Sequence, residues 1–68
     1  MLLNIEAERV RNRMSKEDLA SELGISLRTY YNWINQLTAI PSTALKKMSA
    51  LFGTSIEYLL VECDERGA

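Results

Sequence analysis

Residues 26–36, SLRTYYNWINQ, crowd hydrogen-bonding side chains into about three helical turns. At roughly 100° per residue, Leu27, Arg28, Tyr31, Asn32 and Asn35 fall on one side of a helix. Tyr30, Trp33 and Leu37 fall on the other. The first side carries one cation, one phenol and two amides, groups that hydrogen-bond base edges and phosphates. Its one apolar member, Leu27, could contact a thymine methyl. The second side is apolar and suits packing. Lys16 is a separate candidate. It lies at the start of a predicted helix, where a cation is locally unfavourable, so an external anion is a natural partner.

Catalysis has little to work with. The chain contains no histidine. Its single cysteine, Cys63, has no base nearby in sequence and cannot form an internal disulfide. No Cys/His spacing suits a metal and no Gly-rich loop suits a phosphate, so neither cofactor nor metal is expected. Glu17 and Asp18 are adjacent and are explained as capping and first-turn charge. The expectation is a protein that is not an enzyme.

The elements that position the reading face are legible from their punctuation. Asn4 is predicted to cap a first helix running to about Arg13, with Glu6 and Glu8 near its positive end. Ser15-Lys16-Glu17-Asp18 reads as a capping box, with Asp in place of the usual Glu. The helix it opens places Leu19, Ala20 and Leu23 on one face and stops at Gly24. Ser26 caps a third helix to about Gln36. Pro41 closes the connector LTAIP. Ser42 is predicted to cap a fourth helix, with Ala44, Leu45, Met48, Leu51 and Phe52 at helical spacing, ended by Gly53. Ser55 caps a short fifth helix, IEYLLV. The turn between helices two and three is Gly24-Ile25-Ser26 alone. So short a joint makes the two helices cross steeply, at roughly 90–120°, which is helix-turn-helix geometry.

The bulk properties fit one small domain. The chain has 68 residues, 47% of them hydrophobic, which is globular rather than disordered. It is organised as a domain over residues 1–61 and a polar tail over 62–68 that is expected to fray. No run of apolar residues is long enough to span a membrane, and MLLNIEAERV lacks the order of a signal peptide. A small domain with one thiol and no disulfide fits the cytoplasm. The net charge of −1 argues weakly against a nucleic-acid partner, but the charge is unevenly spread. Residues 1–47 hold seven basic and five acidic residues, net +2, and residues 48–68 are net −3. Arg9, Arg11 and Arg13 alternate and form no single stripe. Lys46 and Lys47 lie on the polar side of the fourth helix, within reach of a phosphate.

The segment SKEDLASELGISLRTYYNWI, residues 15–34, resembles the helix-turn-helix of the Cro/C1-type (Xre) regulators, which include phage repressors. The family run of Ser/Thr, a Gln, acids, Leu-Ala, then Leu-Gly-Val-Ser and a later aromatic corresponds here to Ser15, Lys16, Glu17, Asp18, Leu19, Ala20, Leu23, Gly24, Ile25, Ser26 and Trp33. LFGTSIEYLL, residues 51–60, is similar to the family's closing segment. The likeness covers about residues 3–60 and implies an all-α, five-helix, lambda-repressor-like domain with its third helix in the major groove. It implies a cytoplasmic transcriptional repressor, usually a dimer on a two-fold double-stranded DNA operator. Lys16 then contacts the phosphate backbone, Leu27, Arg28, Thr29 and Asn32 read bases, and Asn35 touches phosphate. Four departures stand out, one of them Leu27, which replaces a frequent polar reader. Lys16 replaces a common Gln. Ile34 stands where many members carry a Glu that pairs with an Arg at the position of Arg9. Gln36 replaces a common Gly, which leaves room for the third helix to run on.

Leu37 and Ile40 are apolar residues in a connector. They either tuck under the fourth helix or, with Ile34, form a patch for a weak homodimer. The same exposed apolar residues support a second reading, a protein-interaction module on this scaffold such as an antitoxin or anti-repressor.

Overall fold

Five helices make up the regular structure of the described residues. In the computed structural model, which describes residues 1–62, they are α1 (Leu3–Arg11), α2 (Lys16–Leu23), α3 (Leu27–Ile34), α4 (Ser42–Phe52) and α5 (Ile56–Leu59). The described residues contain no strand, and none of their helices is long and apolar enough to cross a membrane. The Cα radius of gyration, 11.1 Å, matches the roughly 11 Å of a compact chain this long. Of the expected tail, all but Glu62 lies outside the described residues, as does Cys63.

The capping signals of α2, α3 and α5 operate as the sequence suggests. Ser15 Oγ accepts the backbone N–H of Asp18 at 3.0 Å, and Asp18 Oδ2 accepts the N–H of Ser15 at 3.0 Å. Ser26 Oγ accepts from Thr29 N at 3.2 Å and Ser55 Oγ from Tyr58 N at 3.1 Å. Each bond satisfies an amide that the first helical turn would leave unpaired.

Five helix boundaries differ from expectation: α1 ends at Arg11 rather than Arg13, with Arg13 at a left-handed φ of 58°, α5 ends at Leu59 rather than Val61, and three others have visible causes. Asn4 is not the cap of α1. The helix begins at Leu3 with Leu2 in the cap position and no side-chain cap bond. Its start is fixed from a distance instead: Leu2 is buried, and its N–H donates to the carbonyl of Ile34 at 3.0 Å. Asn4 Nδ2 donates to the carbonyl of Tyr58 at 2.8 Å, tying α1 to α5. Ser42 is likewise the first residue of α4 rather than its cap, a position held by Pro41 without a side-chain bond. Finally, α3 stops at Ile34. Gln36 adopts a left-handed φ of 61° and Leu37 N–H bonds back to the carbonyl of Asn32 at 2.8 Å. Gln36 thus does the work of the glycine it replaces.

The core gathers Leu2 and Ile5 from the first segment, Leu19 and Ala20 from α2, and Tyr30 and Ile34 from α3. Leu45, Met48 and Phe52 of α4 and Leu59 of α5 complete it. Ile34 is only 3% exposed, which removes it from any surface patch. Tyr30, Trp33 and Ile34 sit at i, i+3 and i+4, the spacing of one buried helix stripe. Leu37, expected on that same face, is 73% exposed. The reversal at Gln36 takes it out of the helical period. Ile40 is partly buried against the core.

Candidate nucleic-acid interface

The turn that sets α3 against α2 is built from Gly24 and Ser26. Gly24 sits at φ 69° and ψ 34°, a conformation that side chains with a Cβ adopt at a cost. Its N–H and that of Ile25 close α2 onto the carbonyls of Ser21 and Ala20. Two residues later Ser26 opens α3. The hydroxyls of Ser26 and Thr29 lie 3.0 Å apart, so the Thr29 hydroxyl is engaged in the cap.

With Tyr30, Trp33 and Ile34 buried, the opposite side of α3 faces outward. Arg28, Tyr31 and Asn35 are exposed, while Leu27, Thr29 and Asn32 are half-buried. Arg28 and Asn32 are one turn apart on the same face, about 5–6 Å between Cβ atoms. Among the described residues, the ion pairs are Arg9–Glu6 and Arg11–Glu8, and Arg28 takes part in neither. Its guanidinium therefore has five donors available for an outside acceptor.

Lys16 meets α3 directly. Its Nζ lies 5.4 Å from the centre of the Tyr31 ring, within range of a cation–π contact. Lys16, Tyr31 and Asn35 line one cleft together with Met1, Glu6, Tyr30 and Ile34. Lys16, Tyr31 and Asn35 thus form one group, and Leu27, Arg28 and Asn32 lie along α3 beside it. Thr29 is turned into the cap. Lys46 and Lys47 are exposed, and Lys47 borders a second cleft with Leu23, Ile25, Trp33 and Pro41. Trp33 is 6% exposed, a packing residue rather than a stacking platform.

Behind this face runs a polar network that the sequence did not disclose. Tyr30 Oη donates to Glu6 Oε2. Arg9 donates to both oxygens of Glu6, at 3.3 and 3.2 Å, and its Nη1 reaches the carbonyl of Met14 at 2.6 Å. Burial pushes the Glu6 carboxyl up, but the Arg9 and Tyr30 hydrogen bonds outweigh it and hold the group below the usual carboxylate range. Burial and the adjacent Glu6 carboxylate raise the Tyr30 phenol well above its ordinary value. Arg9, whose expected partner position holds Ile34, therefore pairs within its own helix. The Glu6–Arg9 spacing of i, i+3 is a local signal of an ion pair, but nothing local marks Tyr30, 24 positions away, as the third member. A second tie involves Glu8, 4% exposed. Its Oε2 accepts from Tyr58 Oη at 3.2 Å and faces Arg11 at 3.5 Å.

The sequence profile of the helix-turn-helix family matches residues 5–59, from α1 through α5. No curated protein and no solved structure matches the chain. The profile spans most of the sequence and all five helices, with the short Gly24–Ser26 joint and the outward face of α3 inside it, so the chain belongs to the Cro/C1-type helix-turn-helix family of DNA-binding domains.

Proposed function

We propose that the protein is a sequence-specific regulator of transcription that represses from a two-fold operator in double-stranded DNA. It works in the cytoplasm as a weak homodimer. The observation that carries this reading is Arg28, an exposed cation that forms no ion pair among the described residues, on a helix whose opposite face is core. A helix of eight residues is about 12 Å long, comparable to the width of the major groove. Arg28 reads a guanine through its two-pronged donor set, and Asn32, one turn on, reads a neighbouring adenine. Leu27 contacts a thymine methyl, and Thr29 reads through its methyl while its hydroxyl stays in the cap. Lys16, Tyr31 and Asn35 hold phosphate and fix the register. The domain is residues 1–61. The test is selection from a pool of random duplexes with wild type and Arg28→Ala. Wild type should enrich a two-fold sequence, and the variant should relax one base per half-site. No enrichment at low salt removes the proposal.

One observation favours a second reading. Leu37 is 73% exposed and adjoins a cleft lined by Leu2, Trp33, Ile40, Leu45 and Leu60. In the main reading a second copy of the chain covers this patch. In the alternative it receives a different protein, as in an antitoxin or anti-repressor. The two differ in salt response, because each phosphate contact adds about −0.9 to the slope of log affinity on log salt. An apolar protein contact adds little.

A further inference from the structure

The Glu6 carboxylate of α1 ties its own helix to α3 and, through Arg9, to the segment before α2. It accepts the Tyr30 hydroxyl from α3. It accepts two N–H bonds from Arg9 of α1 at 3.3 and 3.2 Å. Through Arg9, whose Nη1 donates to the Met14 carbonyl at 2.6 Å, it also holds the segment leading into the Ser15 cap of α2. Lys16 follows that cap by one residue. Tyr30 is 1% exposed and its ring packs edge-to-face on Tyr31, centroids 6.3 Å apart. Tyr31 in turn lies under the Lys16 ammonium. The two tyrosines therefore attach one turn of α3 to α1 through a hydroxyl and to α2 through a ring.

From this arrangement we infer that Tyr30, Glu6 and Arg9 act as a positioning unit, which fixes the angle of the recognition helix relative to the start of α2. None of the three touches DNA. Their role is to set the distance between Lys16, which grips phosphate, and Arg28 and Asn32, which read bases. The inference rests on the DNA-binding reading above for its consequence, but the tie itself is a property of the free protein. Apolar burial is non-directional and by itself sets the roll of α3 less sharply than a buried hydroxyl–carboxylate bond, which has a defined geometry. A small roll of α3 would spare phosphate contacts made by flexible side chains. It would spoil two-pronged contacts to base edges, which tolerate little displacement.

The test uses Tyr30→Phe, which keeps the ring and removes the hydroxyl, and Glu6→Gln as a second variant. Tyr58→Phe is the control. It deletes a hydroxyl that donates to Glu8 between α1 and α5, away from α3. Two quantities are read for each: the α2–α3 angle in the free protein, from residual dipolar couplings, and the ratio of affinities for the selected duplex and a scrambled one. Tyr30→Phe should shift the angle and lower the ratio by about tenfold, the equivalent of one weakened base contact. Its salt slope should match wild type. Tyr58→Phe should leave both quantities unchanged. An unmoved angle in Tyr30→Phe and Glu6→Gln overturns the tie, whatever the duplexes report. An equal fall in ratio for Tyr58→Phe also overturns it, since general loosening would then be the cause. If the angle moves but wild type prefers no duplex, the tie stands and the DNA-binding reading falls.

Discussion

The Lys16 ammonium lies 5.4 Å from the centre of the Tyr31 ring, joining the first residue of α2 to the second turn of α3. Both residues face the same cleft as Asn35. If Lys16 holds a phosphate, Lys16→Ala should reduce the steepness of log affinity on log salt by about 0.9. Tyr31→Leu keeps that charge but frees the ammonium. It also removes the phenol assigned to phosphate, so it should weaken binding by more than the roughly 0.5–1 kcal/mol of an exposed cation–π contact, at unchanged slope. Fluorescence anisotropy over a salt series measures both. The double variant should lose less than the sum of the two, as expected for residues in contact. Full additivity would mean that Lys16 and Tyr31 act separately.

Arg28 separates charge from geometry. Arg28→Lys keeps the cation, so general attraction to duplex and the salt slope should hold. It loses the planar fork that matches two acceptors of guanine, so discrimination at one base per half-site should fall by roughly 1–3 kcal/mol. Competition binding with single-base operator variants reads this directly. A uniform loss over all duplexes would reassign Arg28 to phosphate.

The cap that opens α2 and the joint that aims α3 should be sensitive for local reasons. Ser15→Ala removes one half of a capping box and should cost about 1 kcal/mol. Gly24→Ala meets no atom within 4 Å at the new Cβ, so its cost is the left-handed backbone alone, roughly 1–2 kcal/mol. A core this small leaves only about 3–5 kcal/mol of net stability. Each variant should therefore show a clear drop in urea midpoint at unchanged slope. A midpoint equal to wild type in Gly24→Ala would mean that the turn can adopt another conformation.

What could be read from the sequence follows the range of the interactions. Ser15, Ser26 and Ser55 were legible because a capping bond closes within three positions, so residue type and spacing carry it whole. The outward placement of Arg28, Tyr31 and Asn35 followed from helical period once Trp33 was assigned to the core. The start of α1 was not legible, because its determinants are the Leu2–Ile34 bond and the reach of Asn4 to Tyr58, 54 positions away. Tyr30 was read as an apolar neighbour of Trp33, which its ring is, while its hydroxyl reaches Glu6 across 24 positions. The largest consequence came from the end of α3. Running that helix two residues too far keeps Leu37 on its inner face, and the left-handed Gln36, whose residue type gives no warning, turns it out. Ile34 lies within α3 in either case, and its burial follows from the i, i+4 spacing to Tyr30 rather than from Gln36.

Acid should loosen the domain through two carboxylates. Glu6 and Asp18 both lie below their ordinary values of 4.5 and 3.8. For Glu6, burial acts upward, but the bonds from Arg9 and Tyr30 outweigh it. For Asp18, the Ser15 backbone N–H is the main cause. A depressed folded-state pKa stabilises above the unfolded value, and that stability is lost as pH falls through the folded value. Stability should hold from neutral pH down to about 4.5 and decline below it. Glu6→Gln should be weaker than wild type at neutral pH, and the gap should narrow as pH falls below 4.5. Urea melts at several pH values provide the comparison. A gap that stays constant with pH would mean that the Glu6 charge adds nothing to its hydrogen bonds.

Ile34 and Leu37 offer the sharpest contrast between packing and assembly. Ile34 is 3% exposed and Leu37 73% exposed. Ile34→Ala should cost about 2–5 kcal/mol, comparable to the whole stability of so small a domain, and leave little folded protein by circular dichroism. Leu37→Glu removes no buried contact, so its melting temperature in dilute solution should equal wild type. Its effect should appear in sedimentation equilibrium instead, as loss of the self-association proposed for the cleft between Trp33, Ile40 and Leu60. On a two-fold duplex the same variant should bind one half-site at a time, because the link between copies is gone while each reading face is intact. Wild type that sediments as a monomer both alone and on the operator would end the homodimer proposal. Leu37 would then be a candidate contact for a different protein.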